Sequence, residues 1–311
     1  MVIHTITRGA LCAVSASLMM ALMSTAIRVA SGELPNEMVV FLRNGFGLVA
    51  LLPWIRAYGG VSSLATAQFP QHLLRSFSGL AAMYCFFYAL AHLNLGEAVL
   101  LNFSAPLYIA PIALLWLGET LSWRVGWAAV VGFLGVALIL NPGTGLFTYA
   151  AMIGALSGLL AAVAMVSVRG MSATEPTVRT VFYFSAISTV VSAVPLLWAW
   201  RTPTLAALAL MALAGFFATK GQLLLTHGYA LAPAARVGPY TYTTVIFASA
   251  IGWILWSEIP DGMTIAGAVL IGVSGVLAMT RSETAVSGTE ELAAGVVDVS
   301  EHERQTHSIS G

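Results

Sequence analysis

Long apolar runs separated by short polar breaks extend along most of the chain. The ten runs occupy residues 10–30, 38–55, 73–93, 98–117, 125–140, 150–168, 178–200, 205–225, 237–256 and 265–279. A helix needs about 20 apolar residues to cross the hydrocarbon core of a bilayer. Its backbone groups must bond within the segment, because lipid offers no hydrogen-bond partners. The pattern therefore predicts ten transmembrane helices, of which the fifth and tenth are short.

The two halves of the chain repeat one pattern of apolar runs and turn residues. Residues 88–138 contain YALA, LLWLGE and VGFLGVAL in that order, and residues 229–278 contain YALA, ILWSEIPD and IGVSGVLA. Each half holds five runs, so the second half must insert upside down relative to the first. Inverted repeats of this kind are typical of secondary transporters, whose substrate site lies between the repeats near the bilayer midplane.

Composition supports the same fold class. The chain of 311 residues is 59% hydrophobic and only 8% charged, too few charges to cover a water-soluble surface of this size. We therefore predict an all-α polytopic membrane protein with ten transmembrane helices arranged as two inverted five-helix repeats. The repeats are placed at residues 1–146 and 147–280, and the polar, acid-rich residues 281–311 are expected to form a disordered cytoplasmic tail.

Arginine positions predict the orientation in the membrane. With a cytoplasmic N-terminus, the inner ends of the runs carry Arg8, Arg56, Arg75, Arg124, Arg169, Arg179, Arg236 and Arg281, and the outer ends carry only Arg28 and Arg201. Basic residues concentrate on the cytoplasmic side of membrane proteins. We therefore expect a multi-pass protein of a bacterial inner membrane with both termini in the cytoplasm.

Two cations, Arg43 and Lys220, lie well inside apolar runs and away from their ends, where a charge is costly and is by default a functional candidate. Arg43 in the second run either ties helices together by bonding carbonyl groups or binds a substrate carboxylate with its fork of donors. Both alternatives are open at this stage. Lys220 in the eighth run is a substrate-site candidate, although its long side chain could reach the cytoplasmic interface. For His227, seven residues later, an interfacial position is the preferred interpretation.

Polar and aromatic residues mark the fourth and ninth runs, which are equivalent in the repeat. Pro106 and Pro111 free backbone carbonyls within the membrane, so the fourth helix is expected to kink beside a wet cavity. The side chains proposed to line this cavity are Asn102, Tyr108, Tyr240, Thr243, Thr244 and Trp253. Such a lining suits a moderately polar organic molecule better than a bare ion. Interhelical hydrogen bonding is the alternative for the threonines.

Small residues recur within several runs, and glutamates lie at the ends of others. Gly154 and Gly158 form a GxxxG motif in the sixth run, and small residues recur at matching positions of the fifth and tenth runs. Close helix packing inside the bundle is favoured over a dimer interface. Glu97, Glu119 and Glu258 lie at the ends of runs, where interfacial or structural roles are favoured over proton transport.

These features together resemble the drug/metabolite transporter superfamily, EamA family. The resemblance rests on Phe41-Leu-Arg43, on YALA followed by LLWLGE ending at Glu119, and on VGFLGVALIL, and it extends to about residue 280. Residues 234–275 are similar to a branch that moves S-adenosylmethionine, riboflavin, amino acids or opine-type metallophores. The resemblance implies a carrier, usually an exporter, with a cavity built from the first four helices of each half. It supplies no motif that identifies substrate residues.

The favoured function is a secondary-active inner-membrane transporter that exports a small amino-acid-derived metabolite, such as an amino acid or an opine-type metallophore, by alternating access. The first alternative is an uptake carrier for a solute resembling S-adenosylmethionine or riboflavin. A passive channel or facilitator is the second. The expected partners are the small-molecule substrate and the lipid bilayer, with no nucleic acid, and the protein is expected to be a monomer or a homodimer.

An intramembrane enzyme is the least favoured alternative. An aspartyl protease needs two carboxylates in one site, but Asp261 is the single aspartate before residue 280, and no HExxH or GxxxxGK[ST] motif is present. Cys12 and Cys85 lie inside apolar runs, which argues against a disulfide framework or a zinc site. The sequence therefore predicts no catalytic residue, cofactor or metal.

Overall fold

Helices joined by short turns and irregular segments make up the described part of the chain. The computed structural model describes residues 2–117, 123–140, 149–171, 174–231 and 238–279, and among these no strand occurs. The α-helices are α1 (Val2–Ala30), α2 (Asn36–Ala57), α3 (Phe69–His92), α4 (Leu95–Asn102), α5 (Ala105–Leu117), α6 (Trp123–Leu140), α7 (Tyr149–Met171), α8 (Thr177–Ala193), α9 (Leu196–Ala199), α10 (Leu205–Leu231), α11 (Thr243–Trp256) and α12 (Gly262–Met279). Glu119 and the predicted tail at residues 281–311 lie outside the described residues.

Several helices have the length and composition of membrane spans. The candidate spans in the described residues are Thr7–Ala30, Asn36–Ala57, Phe69–His92, Tyr149–Val168 and Leu205–Leu225. Val178–Ala193 and Gly262–Ser274 are shorter apolar helices. The all-helical, multi-pass membrane class is confirmed, whereas the number of ten crossings stays a prediction.

The fourth run is broken, as its prolines predict. Helix α4 ends at Asn102, and α5 begins at Ala105 after a short turn. In this turn the Ser104 N–H bonds the carbonyl of Leu101 at 3.2 Å, three residues back instead of four. Pro106 follows at once and has no N–H to continue the ladder. The break places Asn102 at a helix end inside the bundle. The equivalent ninth run is also irregular, because a 3₁₀ segment at Gly238–Tyr242 precedes α11.

The helix pairs that pack most extensively follow a two-fold pattern. Helix α1 packs along α10, α3 along α7, and α6 along α12. If the two halves are exchanged, α1 takes the place of α7 and α10 that of α3, so the first two pairs are equivalent and the third maps onto itself. This is the packing that two related halves produce. The boundaries of the repeats stay a prediction.

Glycines allow close approach inside the bundle. A Cβ atom on Gly158 of α7 would lie 2.8 Å from the carbonyl oxygen of Leu101 in α4. A Cβ atom on Gly135 of α6 would lie 2.8 Å from the carbonyl oxygen of Gly267 in α12. These glycines therefore pack helices against each other within the chain, which is the interpretation favoured from the sequence.

Gly215 provides a direct test of such an approach. A Cβ atom there would lie 2.8 Å from the backbone nitrogen of Gly47, where α10 crosses α2. We expect Gly215→Ala to lower the melting temperature in detergent, since overpacking costs about 1–3 kcal/mol. Gly272→Ala is the matched control, because a Cβ atom at that helical position meets nothing within 4 Å and alanine favours helix. Equal melting temperatures for the two variants would refute the close crossing.

Candidate functional site

A cavity of about 200 Å³ lies within the bundle, between α1, α2, α3, α4, α7 and α8. Its charged and polar lining consists of Arg43, Arg75 and Asn102. The remaining lining is apolar and includes Met23, Met83, Phe86, Phe87, Met165 and Phe184. The cavity therefore presents two cations and one amide in apolar surroundings, which is a typical lining for an organic ligand.

Arg43 reaches the cavity from α2. Its Nη1 donates to Oδ1 of Asn44 at 3.0 Å, and the Asn44 amide in turn donates to the sulfur of Met83 at 3.4 Å. The Nε atom of Arg43 is buried without a hydrogen-bond partner. Arg43 also borders a smaller cavity of about 30 Å³ between α2, α8 and α10. The guanidinium thus lies between two cavities.

Arg75 reaches the same cavity from α3. Its guanidinium carbon lies 4.2 Å from the ring centroid of Phe184 in α8, and its Nε atom has no hydrogen-bond partner. One turn along α3, a Cβ atom on Gly79 would collide with Nη1 of Arg75 and lie 2.8 Å from the Phe184 ring. The missing side chain at Gly79 therefore leaves room for the guanidinium to fold along the helix.

Arg75 was expected only at the inner end of its run, with no site role, and the geometry adds a place for its side chain in the cavity. Its Cα lies in the second turn of α3, near the predicted cytoplasmic end, but its side chain extends into the cavity. The spacing of Arg75 and Gly79, one helical turn apart on one face, was the sequence signal that could have identified it.

Asn102 lines the same cavity as Arg43, and a cavity lining role was expected for this residue of the fourth run. Its amide donates to the hydroxyl of Ser157 in α7 at 3.2 Å. Because α4 ends at this residue, the break in the fourth run places an amide in the bundle interior. The structure thus brings together two of the predicted site residues.

Other predicted site residues do not line this cavity. Tyr108 is half-buried and packs its ring edge-on against Phe133 of α6, with 5.0 Å between the centroids. Lys220 is exposed, and Tyr240 and Trp253 are 43% and 62% exposed. A substrate role for these four residues stays a prediction.

The predicted threonines bond their own backbone segment. The Thr243 hydroxyl donates to the carbonyl of Tyr240 at 2.6 Å, and the Thr244 hydroxyl to the carbonyl of Thr241 at 2.8 Å. The Ser17 hydroxyl of α1 also reaches both carbonyls, at 3.3 Å each. These contacts fix the irregular segment before α11. Their participation in substrate binding stays a prediction.

A buried carboxylate joins the two halves at the end of the bundle where α3 and α8 begin. Glu175 accepts hydrogen bonds from Thr66 at 2.7 Å and from Arg179 at 3.2 Å, and lies 3.2 Å from Nε2 of His72. The His72 ring is fully buried and stacks on Tyr183 with 4.5 Å between centroids. We call Thr66, His72, Glu175 and Arg179 the Glu175 cluster. No local sequence pattern indicates this cluster, since Thr66 and His72 lie about a hundred residues from Glu175 along the chain.

A second carboxylate joins the halves at the opposite end. Glu258 pairs with both terminal nitrogens of Arg28, one of them at 3.1 Å, and accepts the N–H of Leu95 at 2.8 Å. The Arg28 guanidinium lies 4.5 Å from the ring centroid of Trp256. We call Arg28, Leu95 and Glu258 the Glu258 cluster. These contacts agree with the structural role favoured for Glu258.

The ionised form of Glu175 stabilises its cluster. Burial alone would raise the pKa of this carboxyl, but hydrogen bonds from Thr66, His72 and Arg179 and the charge of Arg179 outweigh it and lower the pKa below 4.5. A lowered folded-state pKa gives stability that is present above the unfolded value and is lost as pH falls through the folded value.

We therefore expect the melting temperature of the parent in detergent to fall as pH is lowered below about 4.5, near the unfolded-state pKa of a glutamate. Glu175→Gln should melt lower than the parent at pH 7 and lose part of this acid sensitivity, because it cannot ionise. Glu37→Gln, at the start of α2 and outside the cluster, is the control and should retain the parent's profile. If the melting temperature of Glu175→Gln depends on pH in the same way as that of the parent, the stabilising role of ionised Glu175 is contradicted.

Known proteins match this chain over most of its length. The profile of the EamA-like transporter family matches residues 7–141 and 148–280. The pseudopaline exporter CntI of Pseudomonas aeruginosa is 34% identical over 290 residues, covering 91% of this chain and 99% of the relative. The S-adenosylmethionine uptake transporter of Rickettsia bellii is 28% identical over 75% of this chain and 80% of the relative. The riboflavin transporter of Vibrio cholerae is 27% identical over 92% and 97%.

One protein of known crystal structure has the same fold. It superposes with a TM-score of 0.62 at 17% identity and covers 88% of this chain and 96% of the other. This likeness supports the helical arrangement alone.

Proposed function

The chain belongs to the EamA-like transporter family and is a multi-pass membrane transporter, and we propose that it exports a small amino-acid-derived metabolite by secondary-active alternating access. The relative with export in its name matches at 34% identity, higher than the S-adenosylmethionine uptake transporter at 28% and the riboflavin transporter at 27%. We propose no enzymatic activity, cofactor or metal for the chain. The proposed assembly is a monomer or a homodimer.

The observation that carries this proposal is the cavity that Arg43 and Asn102 share. It lies in the bundle interior, and the two halves of the chain are joined by the Glu175 cluster at one end and by the Glu258 cluster at the other. Alternating access requires a site that opens to one side at a time. Breaking one cluster while the other holds would open the cavity in this way.

The contacts of Arg43 favour substrate binding over helix anchoring. Its hydrogen bond goes to the adjacent side chain of its own helix, whereas an anchoring arginine would bond carbonyls of another helix. The guanidinium fork is therefore available to a carboxylate in the cavity. An amino-acid-derived solute supplies such a group.

Arg43→Lys separates these roles. Lysine keeps the charge but loses the two-pronged geometry, so we expect substrate affinity to fall by about tenfold or more, as for loss of a hydrogen bond between charged groups. The melting temperature should stay near that of the parent. Binding and melting are measured on the same preparations, with Arg56→Gln as an exposed control. A lower melting temperature with unchanged affinity would assign Arg43 to helix anchoring.

Uptake is the second candidate function, because relatives at 28% and 27% identity are named as uptake and riboflavin transporters. Cells that express the parent and matched cells that do not express the chain distinguish the two directions. If the protein is an exporter, one or more metabolites will be enriched in the medium and depleted inside the cells that express the parent. The reverse change would establish uptake, and identical metabolite profiles would count against both.

We also propose ten transmembrane helices in two inverted repeats, 1–146 and 147–280, with residues 281–311 as a cytoplasmic tail. The two-fold pattern of helix pairs supports the repeats. With both termini in the cytoplasm, the Glu175 cluster faces the cytoplasm and the Glu258 cluster the periplasm.

Reporter fusions test this orientation. A reporter that is active only in the periplasm should be active when fused after Gly143 and inactive when fused after Gly311, because an odd number of crossings separates these positions in the proposed topology. A cytoplasmic reporter at the same two positions is the control and should give the opposite result. Activity of the periplasmic reporter at Gly311 would reverse the assignment of the two ends.

A further inference from the structure

Two positive charges share one small cavity. Arg43 and Arg75 both line it, so the two charges lie in one space of about 200 Å³. Like charges repel strongly where the dielectric constant is low. Each guanidinium also has a buried Nε atom without a hydrogen-bond partner, which adds a desolvation cost. The ligand-free cavity is therefore electrostatically unfavourable.

No carboxylate of the described residues neutralises this pair. The acids that bond elsewhere are Glu33 with Thr204, Glu97 with Asn94, Glu175 with Arg179, Glu258 with Arg28, and Asp261 with Thr264. Glu37 lies in the first turn of α2, nearly two turns from Arg43. Across residues 2–117, 123–140, 149–171, 174–231 and 238–279, neither cavity arginine forms a salt bridge.

Aromatic contact does not replace the missing anion. Phe184 covers the face of the Arg75 guanidinium, but the ring accepts none of the in-plane N–H groups that a carboxylate would bind. Gly79 keeps this guanidinium against the ring and directed into the cavity. This arrangement fixes the position of the Arg75 guanidinium but supplies no anion to accept hydrogen bonds from its N–H groups.

We propose that the transported substrate carries two carboxylates, one held by Arg43 and the other by Arg75. This proposal rests on the proposed function and specifies its substrate class. Planar guanidinium forks match carboxylates in two-pronged geometry. The methionine and phenylalanine side chains around them suit an organic body between the two acidic groups. The amide of Asn102 lies where it can bond a further polar group of that body.

Paired probes test the requirement for two carboxylates. The first pair is N-(1-carboxyethyl)-phenylalanine and N-ethyl-phenylalanine, and the second is N-acetyl-glutamate and N-acetyl-glutamine. Each pair differs by one carboxylate. Thermal shifts of the purified full chain in detergent give apparent affinities. We expect the dicarboxylate to bind at least about tenfold more tightly than its partner in at least one pair, as the gain of a charge-assisted interaction implies.

Substitutions then assign this preference to the cavity. Arg75→Gln should bind the two members of a pair equally, whereas Arg56→Gln, at the exposed end of α2, should retain the parent's preference. Without ligand, Arg75→Gln should melt no lower than the parent, because it removes an uncompensated charge. A purely structural arginine would instead lower the melting temperature.

Asn102→Asp provides a second test that does not depend on Arg75 variants folding. The new carboxylate lies in the cavity and supplies the missing anion from the protein. We expect it to raise the ligand-free melting temperature and to weaken dicarboxylate binding by about tenfold or more. Ser157→Ala, which removes the other partner of the Asn102 hydrogen bond, controls for the loss of that bond and should not raise the melting temperature.

Several results would overturn the proposal. They are equal binding of both members in both pairs, no binding of any probe, a dicarboxylate preference that survives in Arg75→Gln, and stabilisation by sulfate alone equal to that by the dicarboxylates. The metabolite comparison separates this failure from failure of the proposed function. An exported compound with fewer than two acidic groups would refute only the substrate class, whereas unchanged metabolite profiles would refute only the export function.

Discussion

The cost of placing two guanidinium groups inside an apolar helical bundle determines the arrangement around them. Arg43 and Arg75 cannot comfortably face lipid, and both side chains extend into the cavity between α1, α2, α3, α4, α7 and α8. Gly79 leaves room for Arg75, and Asn44 links Arg43 to Met83. Irregular backbone is tolerated at membrane depth only where it is buried in protein or lines a cavity, and the break that ends α4 at Asn102 meets this condition.

The two carboxylates that join the halves, Glu175 and Glu258, lie at the ends of the bundle. The cations Arg43 and Arg75 line the cavity in its interior. Glu175 and Glu258 each join the two halves of the chain through hydrogen bonds from an arginine and from a group in the other half. An ion pair of this kind holds two elements firmly when formed, yet it adds little net stability because both ions lose hydration. Contacts that are firm when formed but add little net stability suit the two ends of the bundle, which in the proposed mechanism separate and close again. The apolar core around Met38, Phe87 and Leu90 suits groups of helices that move together.

Sequence patterns predicted the elements of the fold because membrane helices are encoded locally. Apolar length identified the helices, and Pro106 identified the break in the fourth run. Arg43 and Asn102 were found because a polar group within an apolar run is conspicuous. Arg75 was missed because its Cα lies near a helix end, and only the direction of its side chain places the charge in the cavity. The Glu175 cluster was missed because its contacts join distant parts of the chain, which one sequence without tertiary information does not reveal.

In the proposed mechanism, the positions of the two arginines also connect substrate binding with movement of the halves. Both arginines come from the first half, on α2 and α3, while Phe184 and Met165 of the same cavity come from α8 and α7 in the second. A ligand shifts a conformational equilibrium only by the difference in its affinity for the two states. An anion that neutralises Arg75 changes how strongly this guanidinium interacts with the Phe184 ring, because a cation–π attraction depends on the cation's uncompensated charge. In the proposed mode of binding, the interaction that recognises the substrate therefore also acts on a contact between the halves and biases the opening of the bundle.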